Sequence, residues 1–414
     1  MSEQRTDDEQ SPGAPAGAAR EPMAPIPAGR ARTCIGLLVL LGFSLGCSEF
    51  AVIGIESDLA RDFGVSLQTV GQLISTYSLA YAALTPMLAL TCGRFRRFQL
   101  LVAYAAVFCA GNVVASFATS FEALLASRIV LGSVSGALLA VGVTYIPELT
   151  EPSRSPIVIS VVYASYSVAM VIVTSVGKIV ADTLDWHLVM DGTLVLAVIS
   201  CALAIALMPR AGATDAPASV REQICLLGEP AVVCGMLIFL FGIGSVYTFY
   251  GYVTPYLEQV LGFGTAAASA ALVGYGVACF FSNLLGGWVD ARFGIRALVV
   301  VFVLQSAVLL GIWAAGSNAM AAMTLVIVLG ILTCLASVPC VSMFMGTATK
   351  RHPKALTLAS SLEPLSFYAG ISFGTAMGGL VVAGPGIAQA GVVGAVLALV
   401  ASGISALAAR FASR

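Results

Sequence analysis

The sequence predicts an all-α membrane protein with twelve transmembrane helices in two six-helix bundles and both termini in the cytoplasm. Three observations carry that prediction. First, the chain is 59% hydrophobic and 10% charged, with a mean hydropathy of +0.97. That is more apolar surface than a water-soluble fold hides, and lipid accepts it. Second, apolar runs of about 20 residues, the length of a helix that crosses a bilayer, recur twelve times. Third, the basic residues are sorted by loop. With the N-terminus inside, 17 of the 20 Lys and Arg fall on one side, Arg61 falls on the other, and Arg128 and Lys178 lie within spans. An excess of Lys and Arg marks the cytoplasmic face.

In chain order, residues 1–30 are rich in Pro, Ala, Gly and acids without periodicity, and predict a disordered cytoplasmic tail. No apolar core follows a short basic start there, so a signal peptide is not expected. The first bundle, 31–208, holds spans at 34–56, 68–91, 99–118, 121–147, 157–181 and 188–208. A polar cytoplasmic linker, 209–228, follows. The second bundle, 229–414, holds spans at 230–254, 266–289, 297–315, 320–346, 356–383 and 387–409. Turn and charge signals separate them, among them Asp62-Phe63-Gly64, Asp185-Trp186 and Gly384-Pro385-Gly386.

One stretch stands out between two apolar runs: Gly286-Gly287-Trp288-Val289-Asp290-Ala291-Arg292-Phe293-Gly294-Ile295-Arg296. Gly286 and Gly287 suit a close helix crossing. Asp290 suits a helix N-terminus or an arginine partner. Gly294 suits a sharp turn, and Arg292 and Arg296 hold the loop on the cytoplasmic side. A weaker copy lies 198 residues upstream. Sliding 58–98 onto 256–296 aligns Leu59 with Leu257, Gly64 with Gly262, Tyr77 with Tyr275, Ala80 with Ala278, Arg94 with Arg292 and Phe95 with Phe293. Two parallel repeats follow from that match, with Arg94 and Arg97 in the first loop, Cys92 in place of the acid and Arg96 in place of the turn glycine. The stretch resembles the loop signature G-x-x-x-D-x-R-F-G-x-R of the major facilitator superfamily of transporters.

Further segments resemble the twelve-span drug/proton antiporter group of that superfamily, in particular its sugar- and purine-ribonucleoside-efflux branch. They are Glu49-Phe50-Ala51-Val52-Ile53-Gly54-Ile55 in span 1, Tyr247-Thr248-Phe249-Tyr250-Gly251-Tyr252-Val253-Thr254-Pro255-Tyr256-Leu257 in span 7, and Gly370 to Gly374 with Gly378-Gly379 in span 11. The resemblance covers about residues 33–410. It implies the major facilitator fold and proton-coupled export of a small organic molecule (a sugar, nucleoside or drug) by alternating access. Span 5 departs from the antiporter pattern, keeping Gly177 and the later Trp186 and placing Lys178 where the family has a small residue. Glu363 and Tyr368 stand where it has asparagines. That erosion leaves an uptake symporter or uniporter as an alternative, and the long tail leaves a non-transporting membrane sensor as a more distant one.

Glu49 is the candidate coupling acid. It sits mid-span by count, where a carboxylate is costly unless protonated, paired or hydrated, and apolar surroundings favour its binding a proton. Gly42, Leu45, Gly46, Glu49, Ile53 and Glu56 share its helix face, which the resemblance turns toward a central cavity. Arg128, in a segment similar to the superfamily's R-x-x-x-G, either couples to Glu49 or ties span 4 to backbone carbonyls. Tyr247 and Tyr250 form a stripe suited to stacking on an organic ligand. Tyr77, Tyr81, Asn283 and Tyr368 are further substrate-binding candidates, while Tyr256 fits an interfacial aromatic belt. Lys178 snorkels or pairs with Asp182 four residues on, or else contacts substrate. Glu363 pairs near the cytoplasmic face with Lys350 or Arg351, or serves as a second coupling acid.

The ten cysteines lack C-x-x-C spacing and read as free thiols, and His187 and His352 are the only histidines, so no metal site is expected. No G-x-x-x-x-G-K-(S/T) loop is present, which argues against ATP drive. The expected cofactor list is empty, with the proton as coupling ion. The expected partners are a small-molecule substrate and the lipid bilayer, with neither nucleic acid nor nucleotide. The expected state is a monomer in the inner membrane, with no enzymatic activity.

Overall fold

A computed structural model of the protein describes residues 27–92, 95–151, 154–210, 225–352 and 355–412. The first half runs α1 (Ala28–Gly54), α2 (Glu56–Asp62), α3 (Leu67–Cys92), α4 (Arg97–Ser116), α5 (Phe121–Val143), α6 (Ile146–Leu149), α7 (Ser155–Thr183) and α8 (Trp186–Leu207). The second runs α9 (Pro230–Tyr250), α10 (Val253–Gln259), α11 (Thr265–Phe293), α12 (Ala297–Ala315), α13 (Ala319–Thr333), α14 (Ser337–Arg351), α15 (Leu356–Ala383) and α16 (Ala390–Ala412). With α13 and α14 as one broken span, the twelve expected crossings are all present. Ten helical segments are long and apolar enough to cross a membrane, and one of them, Thr265–Ala315, contains both α11 and α12. Leu67–Cys92 is the remaining crossing, with Gln68, Gln72, Ser75, Thr76 and Ser78 interspersed in its apolar run.

Local chemistry sets the ends. Ser120, Asp185 and Asn318 are N-caps whose side chains accept the amides of Ala123, His187 and Ala321. The two repeats end their first crossing in the same way. A short helix (α2, α10) is followed by a glycine at positive φ, Gly64 at 63° and Gly262 at 67°. Only glycine enters that region freely, and Leu59 and Leu257, the paired positions before them, are both fully buried.

Three expectations on boundaries are corrected. Residues 28–30 belong to α1, which begins directly after Pro27, while tail residues 1–26 and linker residues 211–224 lie outside the described residues. Span 10 is broken at Cys334–Ala336. Pro339 has no N–H to give the Leu335 carbonyl one turn back, and at the end of α13 the Cys334 amide donates to the Leu332 carbonyl and to the Ser282 hydroxyl of α11, the latter at 3.0 Å. Glu49 lies only about one and a half turns from the end of α1 at Gly54, in the outer part of the helix rather than at its middle.

Helices α1–α8 pack on one another, as do α9–α16. Between the two bundles, α3 packs on α15 and α7 on α11. The face bearing the starts of α1 and α9 and the end of α16 is called inner, and the basic residues assign it to the cytoplasm.

Candidate functional site

A cavity of about 470 Å³ lies between the bundles on the inner side of Glu49. Its walls come from α1 (Glu49, Phe50), α3 (Tyr81), α7 (Tyr163, Tyr166, Ser167), α9 (Tyr247), α11 (Tyr275, Cys279, Asn283) and α15 (Glu363, Phe367, Tyr368), with Thr333 and Ser337 at the broken span. Among the described lining residues, Glu49 and Glu363 are the acids, and nine of the others are aromatic.

Glu49 is 6% exposed and is held from both bundles. Tyr368 of α15 donates its hydroxyl to Glu49 Oε2 at 2.7 Å, and Tyr77 of α3 donates to the same oxygen at 3.5 Å. Tyr368 also stacks on Tyr81 across the bundle interface, with centroids 3.6 Å apart. Arg128 lies beneath. Its guanidinium donates to the carbonyls of Ser48 at 2.6 Å, Glu49 at 2.8 Å and Leu73 at 3.3 Å, and it sits 4.3 Å from the Tyr77 ring centroid. Of its two expected roles, tying helices through backbone carbonyls is the one the geometry displays. The rest of the predicted cavity face on α1 is corrected: a side chain at Gly42 or Gly46 would run into Ser165 or Ala169 of α7, so that face is a helix contact from which Glu49 alone reaches the lining.

Tyr81, Asn283, Tyr247 and Tyr368 line the cavity, whereas Tyr77 and Tyr250 stand behind it. Tyr250 is 1% exposed and stacks on Tyr275 at 4.1 Å. Asn283 spends its amide on the Cys279 carbonyl at 3.2 Å. Tyr256 is not in an interfacial belt: it is buried against Phe249 and donates to the Ile312 carbonyl. Glu363 does not pair with Lys350 or Arg351. It faces the cavity within hydrogen-bonding reach of Ser337, and Arg351 pairs instead with Glu229 at 2.7 Å. Tyr163 and Tyr166 were not singled out from sequence, although with Ser167 they form a polar-aromatic stripe at helical spacing on α7.

The loop motif is only partly as expected. Gly294 adopts φ 57° at the C-cap of α11, and Arg292 and Arg296 are exposed. Gly286 and Gly287 mark no tight crossing, since a Cβ at Gly287 meets nothing within 4 Å and one at Gly286 only ordinary contacts from 3.5 Å. Asp290 accepts a hydrogen bond from Ser342 of α14 at 2.6 Å, and no ion pair to it is found among the described residues. Arg97 is engaged within its own bundle, by Glu148 and by the Thr144 carbonyl at 2.8 Å. Arg94 lies outside the described residues.

Outward of Glu49 the bundles are sealed. Thr254 donates to the Ile53 carbonyl at 2.6 Å, Ser269 to the Ser175 carbonyl at 3.3 Å, and Thr265 to Asp182. Lys178 pairs with Asp182 at 2.6 Å, as its spacing predicts, but also with Asp58 at 3.6 Å and with Glu258 of the other bundle. A cavity on the inner side under a closed outer seal is an inward-facing arrangement of the two bundles.

The sequence model of the Major Facilitator Superfamily matches residues 38–354. The chain belongs to the major facilitator superfamily. Members of this family are multi-pass membrane transporters, not enzymes, and this chain is one of them. It is 27% identical over 362 residues to the inner membrane transport protein YdhP of Escherichia coli, covering 87% of this chain and 92% of that one. It is 25% identical over 345 residues to the MFS-type transporter YtbD of Bacillus subtilis, covering 83% and 87%. To the purine ribonucleoside efflux pump NepI of E. coli it is 24% identical over 301 residues, covering 72% and 73%. A crystal structure of a bacterial homologue of the human lysosomal transporter Spinster, inward-facing and occupied, superposes with a TM-score of 0.72 at 15% identity. It covers 92% of this chain and 97% of that one, and supports the shared fold.

Proposed function

We propose that this transporter exports a small organic molecule across the inner membrane in exchange for protons, with Glu49 as the coupling group. The observation that carries the reading is the Tyr368 hydroxyl on Glu49 Oε2 at 2.7 Å, a hydrogen bond between the two bundles at the head of the cavity. Protonating Glu49 weakens that charge-assisted bond and removes a buried negative charge. The proton thereby changes which arrangement of the bundles is cheaper, as coupling requires. Arg128 holds the backbone of α1 and α3 in register while leaving the carboxylate to substrate and proton. Beside the Tyr81–Tyr368 stack, the rings of Tyr163 and Tyr247 offer stacking surfaces and hydroxyls to a planar, polar substrate. Similarity to a named purine ribonucleoside efflux pump and to an inner membrane transport protein supports export and location.

The test is flux in proteoliposomes under an imposed pH gradient, with nucleosides, sugars and drugs as the panel. Gradient-driven flux is expected for the parent chain and its loss for Glu49→Gln, with binding of substrate retained. Full gradient-driven flux in Glu49→Gln overturns the coupling role. Net uptake toward the inner face in oriented vesicles overturns export and favours the symporter reading.

A further inference from the structure

The outer seal holds more negative charge than positive. Lys178 and the side chain of Asp58 are only 2% and 3% exposed, and Asp182 and Glu258 complete the carboxylates around that ammonium. Arg61 pairs with Asp58 at 2.6 Å, but its side chain is 77% exposed and stands at the rim. A fourth carboxyl, Glu56, is 1% exposed. Neither of its oxygens has a hydrogen-bond partner among the described residues, and it lies within electrostatic reach of Glu258 across the bundle interface. The other groups facing it are Tyr250, whose hydroxyl is also unpartnered, and Tyr252. Asp62, on the same short helix, is occupied by the Trp186 indole at 2.9 Å, and α3, packed on the other side, carries no charged residue.

Two cations cannot neutralise four carboxylates. Lys178 and Arg61 serve Asp58, Asp182 and Glu258, which leaves Glu56 buried with no counter-charge. An ionised carboxylate in that position carries a large desolvation penalty, and a neutral carboxylic acid does not. We propose that Glu56 carries a proton whenever the outer seal is closed and gives it up when the bundles part, so that the seal is a proton-sensitive gate separate from Glu49. The proton enters from the outer face and returns to it. It is not cargo, and it sets how readily the outer side shuts. The closed form holds one proton more than the open form, so acid outside favours closure, and closure is lost as pH rises through the titration of Glu56 in the closed form.

The experiment reads the seal directly and needs no substrate. The full chain in lipid nanodiscs, with its native cysteines replaced, is spin-labelled at Thr119→Cys and Ser317→Cys, exposed positions in outer loops of the two bundles. All measurements are made in a Glu49→Gln background, so that titration of Glu49 contributes nothing. The short-distance, sealed population is expected to grow as pH falls, its ratio to the open population changing by up to about tenfold per pH unit. Glu56→Gln is expected to abolish that dependence and Glu56→Asp to retain it. The same pH dependence in Glu56→Gln, or none in the Glu49→Gln background, overturns the gate. Closure that follows sodium at fixed pH overturns the proton in favour of a metal cation.

Discussion

Arg128 shows what the site asks of a single residue. Three carbonyls from two helices meet one planar guanidinium at 2.6–3.3 Å, a geometry that a lysine ammonium cannot reproduce. Arg128→Lys should therefore cost about 2–3 kcal/mol of stability through lost bonds to a charged donor, read as a lower thermal midpoint in detergent with the cavity chemistry intact. Tyr368→Phe removes the shorter of the two hydroxyl donors on Glu49 and nothing else in the ring. It should lower gradient-driven flux about tenfold, the value of one hydrogen bond to a charged group, and shift the pH profile of transport. An unchanged profile would mean that the bond only positions the ring. At this scale Glu49 was legible in the sequence, because an acid inside an apolar run is conspicuous. Its partners were not: Tyr368 is 319 residues away, and no local pattern records which ring crosses the interface.

Between elements, charge at the helix ends does the joining. Glu229, at the N-cap of α9, lies 2.9 Å from the His352 ring and 2.7 Å from Arg351 at the end of α14. The His352 contact, and then that of Arg351, hold its carboxyl below the ordinary value. A depressed carboxylate stabilises the fold above its unfolded pKa, and that contribution is lost as pH falls through the lower, folded value. Glu229→Gln should thus cost under about 1 kcal/mol at neutral pH and nothing at a pH below both values, measurable as converging unfolding midpoints. The elements themselves were the most legible level. Runs of apolar residues fixed the number and order of crossings, and Gly64, Gly262 and Gly294 marked turns the structure contains. The break between α13 and α14 was not legible, because the amide it frees is satisfied by Ser282 on another helix. Lys350 and Arg351 looked like partners for Glu363 by proximity in sequence, but they sit at the inner end of α14 while Glu363 turns into the cavity.

For the whole molecule, conformation rests on contacts between bundles at the outer side. Lys178 is the shared cation there, and removing one member of a buried ion cluster costs about 3–5 kcal/mol. Lys178→Met should shift the population toward an outer-open state, seen as faster backbone hydrogen exchange in Val253–Gln259. Unchanged exchange would remove Lys178 from the seal. Gly71 makes a steric version of the same point. A Cβ there would come within 1.8 Å of the Tyr252 hydroxyl, which donates to the Thr375 carbonyl, so Gly71→Ala should loosen the same segment without altering charge. Only the Lys178–Asp182 half of this cluster was readable in advance, from i, i+4 spacing. Asp58 and Glu258 reach it because the fold brings together the two short helices that end the first crossing of each repeat.

Those two short helices and their left-handed glycines have a practical consequence. Gly64 and Gly262 turn the chain at nearly the same φ, 63° and 67°, once in each half. A small reporter attached beside each corner, with its signal first calibrated at rest, would let the change at one corner during a transport cycle be compared with the change at the other, and so compare the motion of the two halves. The protein carries its own reference probe.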